Sequence, residues 1–134
     1  MHKTTHFPTT LAAITTLIDA RNAGDIDTVV SCYEATATVV ARPDLVLSGV
    51  EGARAAAEGF LALRPVFTVG RRQIVEGETT SLHLMQWRLQ GTGPDGQPLD
   101  LSGCTTDVFR KQPDGGWLLS IDNPWGIGPL SAES

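Results

Sequence analysis

The sequence predicts an α+β fold, with three N-terminal helices packed on one side of a curved, mainly antiparallel sheet. Helical spacing runs from about Leu11 to Leu63, and strand spacing takes over afterwards. The segment GDIDTVVSCYEATATVV passes from a short amphipathic helix straight into a β-branched run. TTDVFRKQPDGGWLLSIDNPWG reads as two strands joined by a tight Pro-Asp-Gly-Gly turn. Helices segregated from an antiparallel sheet imply a layered α+β domain.

Pro8 suits the first turn of helix one, where its missing donor costs nothing. Leu11, Ile14 and Ile18, with Leu17 beside them, recur at helical spacing until Asn22-Ala23-Gly24 stops the run. Asp25 caps helix two, whose apolar face is Ile26, Val29, Val30 and Tyr33. A strand follows from Ala37, and Arg42-Pro43-Asp44 turns it back into Leu45-Val46-Leu47. Ser48-Gly49 opens an alanine-rich third helix that Arg64-Pro65 ends, since a residue before proline disfavours helix.

The remainder is strand. Val66 to Val69 and Gln73 to Glu76 form one run kinked at Gly70. Thr79 to Gln90, Leu99 to Lys111 and Trp117 to Asp122 follow, separated by glycine-containing turns. No repeat or linker interrupts the pattern, so residues 1–134 read as one domain with a core of about 8–126 and flexible terminal tails.

A chain of 134 residues buries roughly two thirds of its unfolded surface, and a hydrophobic fraction of 41% supplies a core without disulfide or metal staples. The net charge of −5 argues against a nucleic-acid or anionic-membrane partner. Two cysteines make no disulfide framework, and the sequence shows no signal peptide or membrane-spanning run, so a cytoplasmic location is expected. Neither HExxH nor a Cys/His cluster suggests a metal, and GTGPDG joins strand to strand without a helix N-terminus for phosphate. No cofactor is expected.

Three stretches, AGDIDTVVSCYEATATVV, SGVEGARAAAEGF and TDVFRKQPDGGWLLSIDN, resemble the nuclear transport factor 2-like superfamily. Within it the chain is similar to the SnoaL-like and ketosteroid-isomerase-like proteins, from about Leu11 to Trp125. The resemblance implies a cone-shaped, cystatin-like roll whose open end forms a pocket, and commonly a homodimer through the outer sheet face. Ketosteroid isomerases use a helix-one tyrosine, a basic aspartate after helix two and a late-strand aspartic acid. Without gaps these fall at Leu17, Ala41 and Asp107, so two of the three groups are missing and steroid isomerisation by that route is not expected. Tyr33 matches a supporting tyrosine. SnoaL-like cyclases depend on a single pocket aspartate, and for that role candidates remain.

Strand alternation places Gly103, Thr105, Asp107 and Phe109 on one face, a wall with room for a ligand. If that face is inward, burial raises the Asp107 pKa and makes it a hydrogen-bond donor, a device that ketosteroid isomerase also uses. Asp122 shares its face with Leu118 and Ser120 by the same alternation, and either reaches the cavity or caps the Asp-Asn-Pro turn. Facing one cavity, the two aspartates would divide acid and base roles. His83 and Trp87 lie with Met85 and Leu89 on a strand face that lines the pocket or forms the dimer interface. Trp125 either closes the cone mouth or packs beneath it.

Two functions follow. The first is cofactor-independent acid/base chemistry on a small apolar carbonyl compound: an isomerase, cyclase or lyase. Asp107 would be the acid, Asp122 or His83 the second proton group, and Tyr33, Trp87, Thr105, Phe109 and Trp125 the ligand contacts. The second is a non-catalytic dimeric module that binds a hydrophobic metabolite.

Overall fold

The computed structural model describes residues 6–131. Helix α1 (Thr10–Ala23) is capped by Thr9, whose hydroxyl accepts from the Ala12 N–H at 3.0 Å, so Pro8 lies outside the first turn. Gly24 ends it in the left-handed conformation, at φ 71°. The buried stripe is Thr10, Ala13, Ile14, Leu17 and Ala20, while Leu11, expected on it, is 48% exposed. Asp25 caps α2 (Ile26–Ser31) by accepting from Thr28 N–H. That helix stops one residue before Cys32, so Tyr33 opens strand β1 (Tyr33–Arg42) instead of closing the helix.

Strand β2 (Leu45–Ser48) leads into α3 (Gly49–Leu61), which lies over β1 and β2. Its closeness is set by Gly52, where an added Cβ would stand 3.0 Å from the Leu47 Cβ. The meander follows: β3 (Val66–Glu76), β4 (Thr80–Thr92), β5 (Pro98–Lys111) and β6 (Trp117–Asp122). A final turn of helix, α4 (Gly128–Ser131), was not anticipated.

The six strands form one sheet in the order β2-β1-β6-β5-β4-β3. Every pairing is antiparallel except β1 with β6, which is parallel because the chain returns to the first strand only after the meander. Register shifts interrupt β1, β3 and β6, and bulges of this kind bend a sheet around its helices. The main core joins Ala13, Ile14 and Leu17 to Val29, Tyr33, Val39, Ala53, Phe109 and Leu119. A second cluster, Met85, Trp87 and Leu89, takes Phe60, Phe67 and Trp125 against it. Opposite the helices, the register aligns Val75, Leu82, Val108 and Ile121 in one row across four strands. Of these, Val75, Leu82 and Ile121 are 52%, 37% and 41% exposed. No described helix is long and apolar enough to cross a membrane.

Candidate functional site

Alternation along β5 turns Thr105, Asp107 and Phe109 inward, with Gly103 half-buried on the same face. The partner positions on β4 are Met85 opposite Thr105, His83 opposite Asp107 and Trp87 opposite Gly103, so the β4 aromatic face is inward too. The space expected above Gly103 is filled. An added Cβ there would lie 2.9 Å from Cζ2 of Trp87, so the indole rests on the glycine backbone.

Asp122 arrives by a different route. Strict alternation groups it with Leu118 and Ser120 and opposes it to Leu119. The β5–β6 register instead pairs Phe109 with Leu119 and Val108 with Ile121, leaving Ser120 as an extra residue. That bulge reverses the alternation, turns Ile121 outward and brings Asp122 inward beside Leu119. Asp107 and Asp122 are 5% and 4% exposed, and the two carboxyl groups are close enough for Asp122 to act on the proton affinity of Asp107.

Around them stands a polar network inside the apolar core. Oδ2 of Asp122 accepts from the Tyr33 hydroxyl at 2.5 Å and from Nη2 of Arg21 at 3.2 Å. Arg21 also donates to the Tyr33 oxygen at 2.9 Å, and its guanidinium lies 5.8 Å above the Phe60 ring. The Tyr33 hydroxyl is therefore engaged with Asp122, not turned toward a ligand. Oδ1 of Asp107 accepts the Asn123 N–H at 2.8 Å, and its Oδ2 lies 3.4 Å from Nδ1 of His83. Nε2 of His83 and Nε1 of Trp125 are buried and have no hydrogen-bond partner among the described residues.

Burial pushes the Asp107 carboxyl well above the usual carboxylate range, and the neighbouring Asp122 adds to the shift; the Asn123 N–H and Arg21 oppose it without cancelling it. Burial also raises the Tyr33 phenol, with Asp122 adding to that shift. His83 moves the other way: burial and the Arg72 charge lower it to about 4, so the imidazole is neutral at physiological pH. Burial disfavours the Arg21 charge, but the surrounding oxygens outweigh it and hold the guanidinium protonated. The site thus combines a neutral acid, a neutral imidazole and one buried ion pair.

Of the remaining anticipated residues, Phe109 is wholly inside the main core, edge-on to His83 at 6.2 Å between centroids. Thr105 is buried beside Asp107. Trp87 donates to the Pro124 carbonyl at 2.7 Å and meets Trp125 in a T-shaped contact at 5.7 Å. Phe67 stacks on Trp87 and Phe60 stands edge-on to Phe67, which extends an aromatic wall beyond the polar network. Leu17 is buried and Ala41 half-buried. His6 faces Asp114 at 3.5 Å, and His2 lies outside the described residues.

Two residues escaped the sequence reading. Arg21 continues the series Ile14, Leu17, Ile18 at helical spacing, so its position on the buried stripe was open to inspection. Asn123 was taken as part of an aspartate-capped turn, yet it performs that capping itself. Its Oδ1 accepts from Trp125 N–H at 3.3 Å while its Nδ2 binds Thr106 Oγ1 and the Gly126 carbonyl.

The sequence profile of the SnoaL-like domain matches residues 14–118. The chain belongs to the SnoaL-like domain family. No curated protein shows significant similarity to it. Among solved structures it is similar to a candidate dehydratase of the NTF2-like family from Streptomyces avermitilis, at 23% identity and a TM-score of 0.68, covering 82% of this chain and 88% of that one. It is also similar to a candidate ketosteroid isomerase from Shewanella frigidimarina, at 18% identity and a TM-score of 0.72, covering 82% and 89%. The CaMKII hub of S. rosetta aligns at 17% identity with a TM-score of 0.67, covering 84% and 89%. Likenesses at these identities establish the shared fold, and the expectation of an NTF2-like α+β roll is met.

Proposed function

We propose that this protein performs cofactor-independent acid/base chemistry on a small, mostly apolar carbonyl compound, with Asp107 and His83 on the acid side and Asp122 as the base. The observation that carries this reading is the buried carboxyl pair beside an imidazole whose Nε2 has no hydrogen-bond partner among the described residues. Asp107 holds its proton, and Arg21 neutralises the one charge the pair keeps.

Proton bookkeeping favours enolisation. Nε2–H of His83 passes its proton to the carbonyl oxygen as Nδ1 takes the proton of Asp107. Asp122 accepts the carbon-bound proton on Oδ1, the oxygen that neither Tyr33 nor Arg21 engages. The pair then contains one proton and one charge before and after the step, so no net charge is created in a low-dielectric interior. Arg21 and Tyr33 orient Asp122, and the Asn123 N–H receives the developing charge on Asp107.

The experiment is hydrogen–deuterium exchange α to the carbonyl of 2-tetralone in D2O, followed by proton NMR. Wild-type protein should exceed the buffer rate, and His83→Gln and Asp107→Asn should each lose about a hundredfold or more of the excess. Exchange no faster than buffer would leave the second reading, a non-catalytic module for a hydrophobic metabolite. That reading is favoured by Tyr33 and Asp122 satisfying one another, with no base at Ala41.

We propose further that the chain is a homodimer through its outer sheet face. The row Val75, Leu82, Val108 and Ile121 is an exposed apolar stripe, and such stripes mark interfaces. Sedimentation should give a dimeric mass for the wild type and a monomeric mass for Leu82→Lys/Ile121→Lys. A monomeric wild type at micromolar concentration would refute the assignment.

A further inference from the structure

A second bulge aims a second charge at the same interior. In the β3–β4 register Val69 pairs with Trp87 and Arg72 with Met85, so Gly70 and Arg71 together oppose Gln86. Unbroken alternation from Val69 would point Arg72 outward. The extra residue reverses it and puts Arg72 on the face of Met85 and Trp87. The bulge is fixed locally: Arg71 N–H donates to Gln86 Oε1 at 3.2 Å, and a Cβ at residue 70 would crowd the Gln86 Cβ, also at 3.2 Å.

The Arg72 guanidinium has little to bind there. Its hydrogen-bond partner is the Met85 thioether, a weak acceptor, at 3.6 Å, and among the described residues no carboxylate lies within ion-pair distance of it. Arg21, the other inward arginine, is already engaged by Asp122 and Tyr33. Arg72 is itself exposed on the edge strand β3, so its charge stays in water until a ligand covers it. Its field reaches His83, whose protonation it disfavours. One inward step along β4 separates the two groups: Met85 stands opposite Arg72, and the next inward residue is His83, whose Nε2 has no hydrogen-bond partner among the described residues.

We infer that Arg72 sets the specificity of this site by binding a carboxylate on the ligand, whose body lies over Met85 and whose carbonyl oxygen meets Nε2 of His83. This rests on the reading that His83 and Asp107 receive a ligand oxygen. The fork of a guanidinium matches a carboxylate in two parallel hydrogen bonds, and the polarizable Met85 side chain beneath offers an apolar seat for a flat ring between the two polar ends. Successive inward residues on a strand stand about 7 Å apart, roughly the span of one substituted benzene ring.

The matched probes are 4-acetylbenzoate and 4-acetylbenzamide, which share shape and ketone but differ in charge. Calorimetric titration of the wild type should favour the carboxylate by about tenfold or more. Arg72→Met should bring that ratio close to one while leaving the amide's affinity unchanged, and Arg72→Lys should keep part of the preference. His83→Gln should weaken both probes alike. A ratio that survives Arg72→Met, a wild type without preference, or no saturable binding of the carboxylate in the millimolar range overturns the assignment. Loss of preference in Arg72→Met with no effect of His83→Gln upholds Arg72 and counts against the acid/base reading instead.

Discussion

Arg21→Met should destabilise the protein by about 3–5 kcal/mol at pH 7, because it removes one member of a buried ion pair and strands the other. Asp122 is 4% exposed, and its Oδ2 relies on the Arg21 guanidinium at 3.2 Å and the Tyr33 hydroxyl. Without Arg21 the charge shared by the two carboxyl groups has no counter-ion among its hydrogen-bond partners. The double variant Arg21→Met/Asp122→Leu should lose less than Arg21→Met alone, since it removes that charge and leaves only the Tyr33 hydroxyl to go unsatisfied, at about 1–3 kcal/mol. Urea unfolding of the wild type and the two variants at fixed protein concentration and pH 7 checks this. A loss under 1 kcal/mol would mean that Arg21 is solvated and the network is not closed.

The dependence on Arg21 explains which parts of the site the sequence made legible. Period and turn chemistry are local, so three helices, four long strands and the connecting turns could be read from residues such as Ile14, Val29 and the Asp114-Gly115-Gly116 turn. The inward face of β5 was legible for the same reason, because Thr105, Asp107 and Phe109 lie on an unbroken stretch of strand. The parallel pairing of β1 with β6 was not, since it joins residues some eighty apart and leaves no local signal. Asp122 and Arg72 were misplaced or overlooked by one mechanism: each follows a bulge, and a single extra residue inverts every later face. Ser120 carries no residue pattern that distinguishes it from ordinary strand, and Gly70 marked the kink in β3 without showing that Arg72 would turn inward after it. Tyr33 failed differently. It fits the apolar helical series, but the chain leaves the helix at Cys32, and the ring is buried by the strand instead.

Asp107→Asn should be neutral or stabilising near pH 7, the opposite of what removal of a structural carboxylate would do. Burial first, and Asp122 second, hold the Asp107 pKa above its unfolded value of about 4. The native state therefore keeps a proton that the unfolded chain releases. Stability from this group is fully present below pH ~4 and is lost as pH rises toward the folded pKa, with a slope of up to about 1.4 kcal/mol per pH unit. His83 acts in the opposite sense. Its folded pKa of about 4 lies below the unfolded value of about 6.5, so its contribution is lost as pH falls through that interval. Comparing wild type with Asp107→Asn at each pH cancels the His83 term and isolates Asp107. The amide preserves the local contacts, because its oxygen can still accept the Asn123 N–H and its NH2 can donate where the acid O–H did. The stability difference should accordingly favour the variant increasingly from pH 5 to pH 8, while α-proton exchange into 2-tetralone falls toward the buffer rate. Marked destabilisation at pH 7 with exchange or ligand affinity untouched would make Asp107 a structural carboxylate, and the assignment of Asp107 and His83 to the acid side would have to be withdrawn.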